Sequence, residues 1–419
     1  MGSRPVTGQE VDTGAGRPSA ASLMPSAGIV FGGNLVARAL GLLFPLLVAH
    51  ATSRTDFALI YFFISTGFFV GELVLTGFPT AVTRQVAVAT GRSGGRWLIA
   101  GMVAGVPLLF VSAVIGEILA IAAAAPPLLT TVVVCGLTLD AYYFAAVRGM
   151  QRFRLLMAYR ILANLAQILL LGLAVIAGAA SVPLVVALYA AVYLVPIVAI
   201  EARWRPVVSL VRDAGSWSWE EVSVLTRFAV PALVSGVAYG ALLGLDVFFV
   251  RLFAATDLAD YGAARTLAMP VLMVPFAITI VLLPRAARAS SATRLQLLIR
   301  AQLVALGVGI LLVGGYFVAG PWLIVTLLPR EYAGAIEPLR FLTPALLVLG
   351  SYSILSQWWF ARNRPITPAI TLAVGAAVAL LGHVTATSSM GAPGAGLAIG
   401  GGAGAALALL AVATWRSHD

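Results

Sequence analysis

Ala51-Thr52-Ser53-Arg54-Thr55-Asp56-Phe57-Ala58 and Ala255-Thr256-Asp257-Leu258-Ala259-Asp260-Tyr261-Gly262 are one pattern written twice. Alanine, threonine, aspartate and an aromatic residue align at a single offset, and each copy follows a long apolar stretch. The next stretch ends in Pro79…Arg84 after the first copy and in Pro284…Arg288 after the second. A repeat at equivalent points divides the chain into two like halves. Counting the apolar stretches between the copies then decides the fold.

A helix needs about 20 apolar residues to cross the hydrocarbon of a bilayer. Twelve windows qualify: 28–50, 58–80, 98–122, 128–147, 158–178, 183–201, 227–253, 262–284, 301–321, 335–361, 366–387 and 392–415. A further apolar stretch, Leu323–Pro329, is too short to cross alone. Six spans per half is an even number, so the halves run in the same direction through the membrane. That predicts an all-α polytopic protein of two six-helix bundles, a parallel pseudo-repeat about an axis along the membrane normal, with a cavity between them.

Composition agrees. The chain has 419 residues, 61% of them hydrophobic and only 10% charged, against about 25% charged in soluble domains. Mean hydropathy is +1.00. Arginines gather at every second gap, as Arg84/Arg92/Arg96, Arg148/Arg152/Arg154, Arg203/Arg205/Arg212, Arg285/Arg288/Arg294 and Arg362/Arg364. Positive residues are retained on the cytoplasmic side, so both termini are expected there. The expected organisation is a disordered cytoplasmic tail (1–27), a first bundle (28–201), a cytoplasmic linker (202–226), a second bundle (227–415) and a cytoplasmic end (416–419). The linker carries Trp204, Trp217 and Trp219, which suits either an interfacial amphipathic segment or a plain connection.

Several functions are excluded at this level. The net charge of +10 sits at span ends, where it meets anionic headgroups, so nucleic acid is not the expected partner. One cysteine, Cys135, allows no intrachain disulfide, and His50, His383 and His418 are scattered, so no metal site is read. No nucleophile triad, zinc-binding HExxH or phosphate loop is present, and no cofactor or enzymatic activity is expected.

The costly residues lie inside the spans, where a charge costs roughly 2.5–3.5 kcal/mol at the helix centre. Arg38 is near the middle of the first span, with Asn34 one turn before it on the same face. Glu72 is near the middle of the second. Asp140 is in the inner half of the fourth, with Tyr143 on its face. Arg160, Asn164 and Gln167 share a face of the fifth. Asp246 lies in the seventh, with Arg251 further out. One reading is a polar cavity in which Asn34, Arg38 and Arg251 bind an anionic substrate, since the guanidinium fork suits phosphate. Glu72, Asp140 and Asp246 then carry a coupling ion or balance charge. The other reading is a set of packing ion pairs, such as Arg38 with Glu72. Glu117 and Arg265 are placed near the outer interface, where they snorkel. Pro270 and Pro275 are expected to bend the eighth span.

These pieces resemble the polysaccharide flippases of the MOP superfamily, which also holds the MATE exporters and the lipid II flippases. The resemblance runs through Asn34-Leu-Val-Ala-Arg38-Ala-Leu-Gly41, Asp56-Phe57-Ala58, Gly77-Phe78-Pro79-Thr80-Ala81-Val82-Thr83-Arg84 and Arg148-Gly149-Met150-Gln151-Arg152-Phe153. It is closest over Arg227-Phe228-Ala229-Val230-Pro231 through Asp246 and Asp260-Tyr261-Gly262-Ala263-Ala264. The chain departs from the family in lacking lysine and in reading Pro329-Arg330-Glu331-Tyr332 where a glycine usually precedes the tyrosine. The resemblance implies movement of undecaprenyl-diphosphate-linked oligosaccharide across a bacterial cytoplasmic membrane by alternating access. It also implies membrane lipids, proton or sodium coupling, and glycan polymerases or glycosyltransferases as partners. Two competing functions are a cation-coupled multidrug exporter of the MATE kind and a membrane enzyme acting on lipid-linked glycan.

Overall fold

The computed structural model describes residues 20–89, 93–150, 152–288, 290–362, 364 and 366–417. No strand occurs among them. The first half contains α1 (Ala20–Ala51), α2 (Arg54–Leu75), α3 (Gly77–Val88), α4 (Ser93–Ala122), α5 (Leu129–Gly149), α6 (Phe153–Ile176), α7 (Val182–Ala191) and α8 (Leu194–Trp204). A short helix α9 (Pro206–Arg212) leads to α10 (Trp219–Phe253), α11 (Leu258–Ala268), α12 (Pro270–Arg288) and α13 (Ser291–Leu327). The chain closes with α14 (Ile336–Ala361), α15 (Ile366–Gly382), a π-helical turn (His383–Thr387), α16 (Ser388–Met390) and α17 (Ala392–Arg416).

The expected spans fall on helical segments, some on two consecutive helices, as 58–80 does on α2 and α3 and 183–201 on α7 and α8. Among the described residues ten helices are long and apolar enough to cross a membrane, and the pair Ala255–Ala268 with Pro270–Thr279, bent by 41°, makes an eleventh, against the twelve expected. The apolar part of α1 among these residues is Leu35–Ala51. The bend falls at Met269, directly before Pro270, as the prolines predicted. Lipid is also the solvent that the surface requires. Phe110 is 71% exposed on α4 and Val318 85% exposed on α13, and such apolar faces do not persist in water.

The boundaries differ from the hydropathy windows where local chemistry overrules them. Helix α1 is already formed at Ala20, so residues 20–27, expected as part of a disordered tail, are helical; residues 1–19 of that tail lie outside the described residues. Helix α10 starts at Trp219 rather than Arg227, because Ser218 and Glu221 form a capping box, with Ser218 N donating to Glu221 Oε2 at 2.9 Å. That box satisfies two of the orphaned N–H groups of the first turn. Helix α13 runs through Pro321 and absorbs the short apolar stretch after it.

The halves meet along α10, which packs against α2, α3 and α4 of the first half and against α15 and α17 of its own. The two copies of the repeat also touch. Tyr61 and Arg265 stand at the repeat offset of 204 residues, and Arg265 Nη1 donates to Tyr61 Oη at 3.4 Å. Gly262 is small because Tyr61 and Phe57 press on it; a Cβ there would lie 2.9 Å from the Tyr61 ring.

Small residues set the tightest crossings in the second half. A Cβ on Gly396 would lie 2.8 Å from Phe341, and one on Gly402 would lie 2.5 Å from the Gly375 carbonyl oxygen and 2.7 Å from Ala379 Cβ. The glycine that brings α17 onto α15 is therefore Gly402, which lies outside the GxxxG series Gly396/Gly400/Gly404. Because the obstructing atoms include backbone, Gly402→Val is expected to destabilise the protein by about 1–3 kcal/mol. Thermal unfolding in detergent measures this; an unchanged transition would mean that the two helices separate freely.

Candidate functional site

Arg265, Arg160 and Arg38 meet three different environments. Arg265, on α11, is ion-paired and donates hydrogen bonds through Nη1 and Nη2. Its Nε lies 3.0 Å from Asp246 Oδ2, and the Tyr261 hydroxyl donates to the same oxygen at 2.6 Å. Its Nη1 donates to Ser65 Oγ at 3.0 Å, and its Nη2 donates to the Leu243 carbonyl. Leu243 is where α10 leaves helical geometry, with φ −115° and ψ 17°. The guanidinium therefore binds the side-chain anion and the carbonyl at the break together, using its fixed fork of donors. Arg265 is only 5% exposed and Asp246 is 0% exposed. The snorkelling position expected for Arg265 is corrected here: α11 packs all round inside the protein, so depth along the helix axis did not place the side chain at the headgroups.

Arg160, on α6, is paired but open on one side. Its Nη1 donates to Asp140 Oδ2 at 3.1 Å, while the Tyr159 hydroxyl donates to Asp140 Oδ1 at 2.7 Å. The guanidinium also lies 4.3 Å from the Phe144 ring centroid. Tyr143 shares the face of Asp140 but bonds elsewhere, donating to Glu201 Oε1 at 3.0 Å.

Arg38, on α1, has no carboxylate within 4.0 Å among the described residues. Its guanidinium stands 5.1 Å from the centroid of Phe276 on α12, and Tyr239 and Arg160 are within electrostatic range of it. The ion pair with Glu72 does not form. Glu72 instead accepts a hydrogen bond from the Thr76 hydroxyl and lies beneath Gly240 of α10. Asn34 is in α1, but its side chain lies outside the described residues.

Two cavities lie along this polar path. The larger, about 330 Å³, is toward the arginine-rich ends of the helices and is lined by Glu72, Thr83, Asp140, Phe144, Arg148 and Arg160. Arg148, like Arg38, has no carboxylate within 4.0 Å among the described residues. The second, about 290 Å³, lies toward the opposite ends and is lined by Gly41, Phe57, Tyr61, Asn164 and Gln167 among others. Tyr189 and Tyr193 border both. Beyond the second cavity the halves are joined by an ion pair between Arg54 of α2 and Asp260 of α11.

Arg251 and Glu117 hold helix ends. Arg251 Nε donates to the Ala123 carbonyl at 3.2 Å, next to the C-terminus of α4, where a cation is favoured by the helix dipole. It lines neither cavity. Glu117 accepts from Leu128 N and from the Thr131 hydroxyl, both at 2.7 Å, and so caps α5.

No protein-family model and no curated protein matches the chain. Solved structures do. The chain is similar to an inward-facing multidrug resistance MATE family transporter of the MOP superfamily, with TM-score 0.68, 15% identity, and 90% of this chain and 94% of that chain covered. It is equally similar to the lipid II flippase MurJ in an inward closed conformation, with TM-score 0.70, 14% identity and coverage of 92% and 87%. A Vibrio cholerae MATE transporter aligns with TM-score 0.63, 14% identity and coverage of 94% and 96%. The chain shares the fold of these structures. At such identity the likeness speaks for the fold alone, and the two types of MOP protein weigh equally.

Within this fold, the predicted site residues do not form one cluster. Glu72 and Asp140 line the larger cavity, Arg38 stands beside Phe276 and lines neither cavity, Asp246 is fully buried, and Arg251 stands at a helix end. Sequence reasoning overlooked Tyr159, Tyr261, Tyr189 and Tyr193. Tyr261 did carry a signal: it replaces Phe57 in the second copy of the repeat, and the added hydroxyl is the one that binds Asp246.

Proposed function

We propose that the protein is a flippase that carries a lipid-linked oligosaccharide, joined through an anionic diphosphate, across a bacterial cytoplasmic membrane by rocking of its two bundles. The supporting observation is the state of the intramembrane charges. Among the described residues Arg38 and Arg148 have no carboxylate within 4.0 Å, whereas Asp140 and Asp246 are each held by an arginine. A path with unpaired guanidiniums and neutralised carboxylates favours an anionic headgroup. Such a substrate keeps its lipid tail in the bilayer while its head crosses, and its synthesis requires glycosyltransferases. Glu72, the one of the three predicted carboxylates without an arginine, is the group left for proton or sodium coupling.

A cationic drug exporter is the second reading, because MATE transporters share the fold to the same degree. It needs free carboxylates facing the substrate, and of the three predicted carboxylates Glu72 is the one without an arginine. Proteoliposomes separate the two. Transbilayer movement of a fluorescent isoprenyl diphosphate carrying an oligosaccharide, with no uptake of a cationic dye such as ethidium, is the expected result. Dye transport without lipid movement reverses the assignment.

A further inference from the structure

The two cavities differ in charge. The inner one has four charged side chains in its wall, Glu72, Asp140, Arg148 and Arg160. The outer one has no charged side chain among its fifteen lining residues. Its polar groups are neutral, the amides of Asn164 and Gln167 and the hydroxyls of Tyr61, Tyr189, Tyr193 and Thr266. Gln167 is 7% exposed, and no hydrogen bond to its side chain is formed among the described residues. Its amide is not among the sealed, unsatisfied atoms, so the little surface it keeps is in the cavity it lines. A buried amide without a partner costs stability unless something fills the site. Asn164 uses its Nδ2 on the Arg160 carbonyl, at 2.8 Å, and leaves its Oδ1 beside Gly41. Gly41 is thus the position at which α1 leaves room for that oxygen.

We propose that the outer cavity is a subsite for uncharged sugar units, distinct from the cationic inner cavity that receives the diphosphate; this rests on the flippase reading above. Carboxamides and phenols offer both donors and acceptors, as sugar hydroxyls require, and tyrosine rings present flat apolar faces to the C–H side of a pyranose. Tyr189 and Tyr193 are the shared wall, with ring centroids 6.3 Å apart at 85°, so a chain of sugars passing outward meets them first. At about 290 Å³ the cavity is near the lower bound of about 300 Å³ for small-molecule sites, which suits one or two sugar rings rather than a whole oligosaccharide. A uronic acid there has no cation in the wall to meet its charge.

The test uses the full protein in proteoliposomes with two probes: a fluorescent isoprenyl diphosphate bearing a neutral disaccharide, and the same lipid without sugar. The readout is the ratio of their transbilayer rates. Gln167→Leu removes the amide at similar volume and is expected to lower that ratio roughly tenfold, the equivalent of one or two lost hydrogen bonds. Tyr193→Phe is expected to lower it less. A disaccharide with one uronic acid is expected to move more slowly than the neutral one in the unmodified protein. The subsite is overturned if Gln167→Leu slows both probes equally, or if the ratio does not change in either variant. If the unmodified protein moves neither lipid, the flippase reading itself falls and takes the subsite with it; if it moves both and only the ratio test fails, the flippase reading stands alone.

Discussion

Arg265→Met is expected to destabilise the protein by about 3–5 kcal/mol, the range for removing one partner of a buried ion pair. The substitution leaves the Asp246 carboxylate fully buried with only the Tyr261 hydroxyl beside it. It also strands the Leu243 carbonyl at the break in α10, and it takes a donor from Ser65 across the interface between the halves. Replacing both partners behaves differently, because two well-packed apolar side chains carry no desolvation penalty. Arg265→Met with Asp246→Leu should therefore recover much of the loss, with the Leu243 carbonyl still unmet. Thermal unfolding of the purified single and double variants measures the difference. A single variant as stable as the unmodified protein would show that water reaches Asp246, contrary to its complete burial.

The same pair shows why some of the architecture was legible in the sequence and some was not. A membrane-spanning helix must satisfy its backbone internally and present apolar groups to lipid, so hydropathy located the helical segments, although ten or eleven rather than twelve qualify as crossings among the described residues. It reports depth, however, and not direction around the helix axis. Arg265 is near the end of its span, where depth suggests snorkelling, but α11 is buried on every side, so its side chain meets protein whichever way it points. The start of α10 was readable in principle, since Ser218-Trp219-Glu220-Glu221 has the spacing of a capping box; the hydropathy window discards that turn because it is polar. Partner choice across the fold was not readable. Arg54 pairs with Asp260, 206 residues away, and Arg38 fails to pair with Glu72, although both lie near mid-span. Which of two candidate cations finds a carboxylate depends on how helices of different halves are rotated, and one sequence does not contain that angle. The repeat came nearest to supplying it, because Tyr61 and Arg265, which stand at its offset, are in contact.

Arg38→Ala is expected to lower transbilayer movement of the sugar-bearing diphosphate lipid by about 10–100-fold, while leaving stability unchanged or higher. The first half of that expectation follows from chemistry: hydrogen bonds to charged groups contribute about 1.5–3 kcal/mol, and a guanidinium offers diphosphate two in parallel. The second half follows from the absence of a partner. Arg38 carries the insertion cost of a charge in the membrane, roughly 2.5–3.5 kcal/mol at a helix centre. Its visible compensation is the face of Phe276 at 5.1 Å, worth about 0.5–2 kcal/mol. Removing it therefore relieves more than it forfeits. Arg38→Lys keeps the charge but loses the fork, and its rate should fall between the other two. Arg265 makes the contrast, since its loss lowers stability and transport together. An Arg38→Ala protein that unfolds early would place Arg38 with the structural arginines and leave Arg148 as the remaining unpaired cation of the path. One that stays folded but transports at the unmodified rate would remove the anionic headgroup from this site altogether.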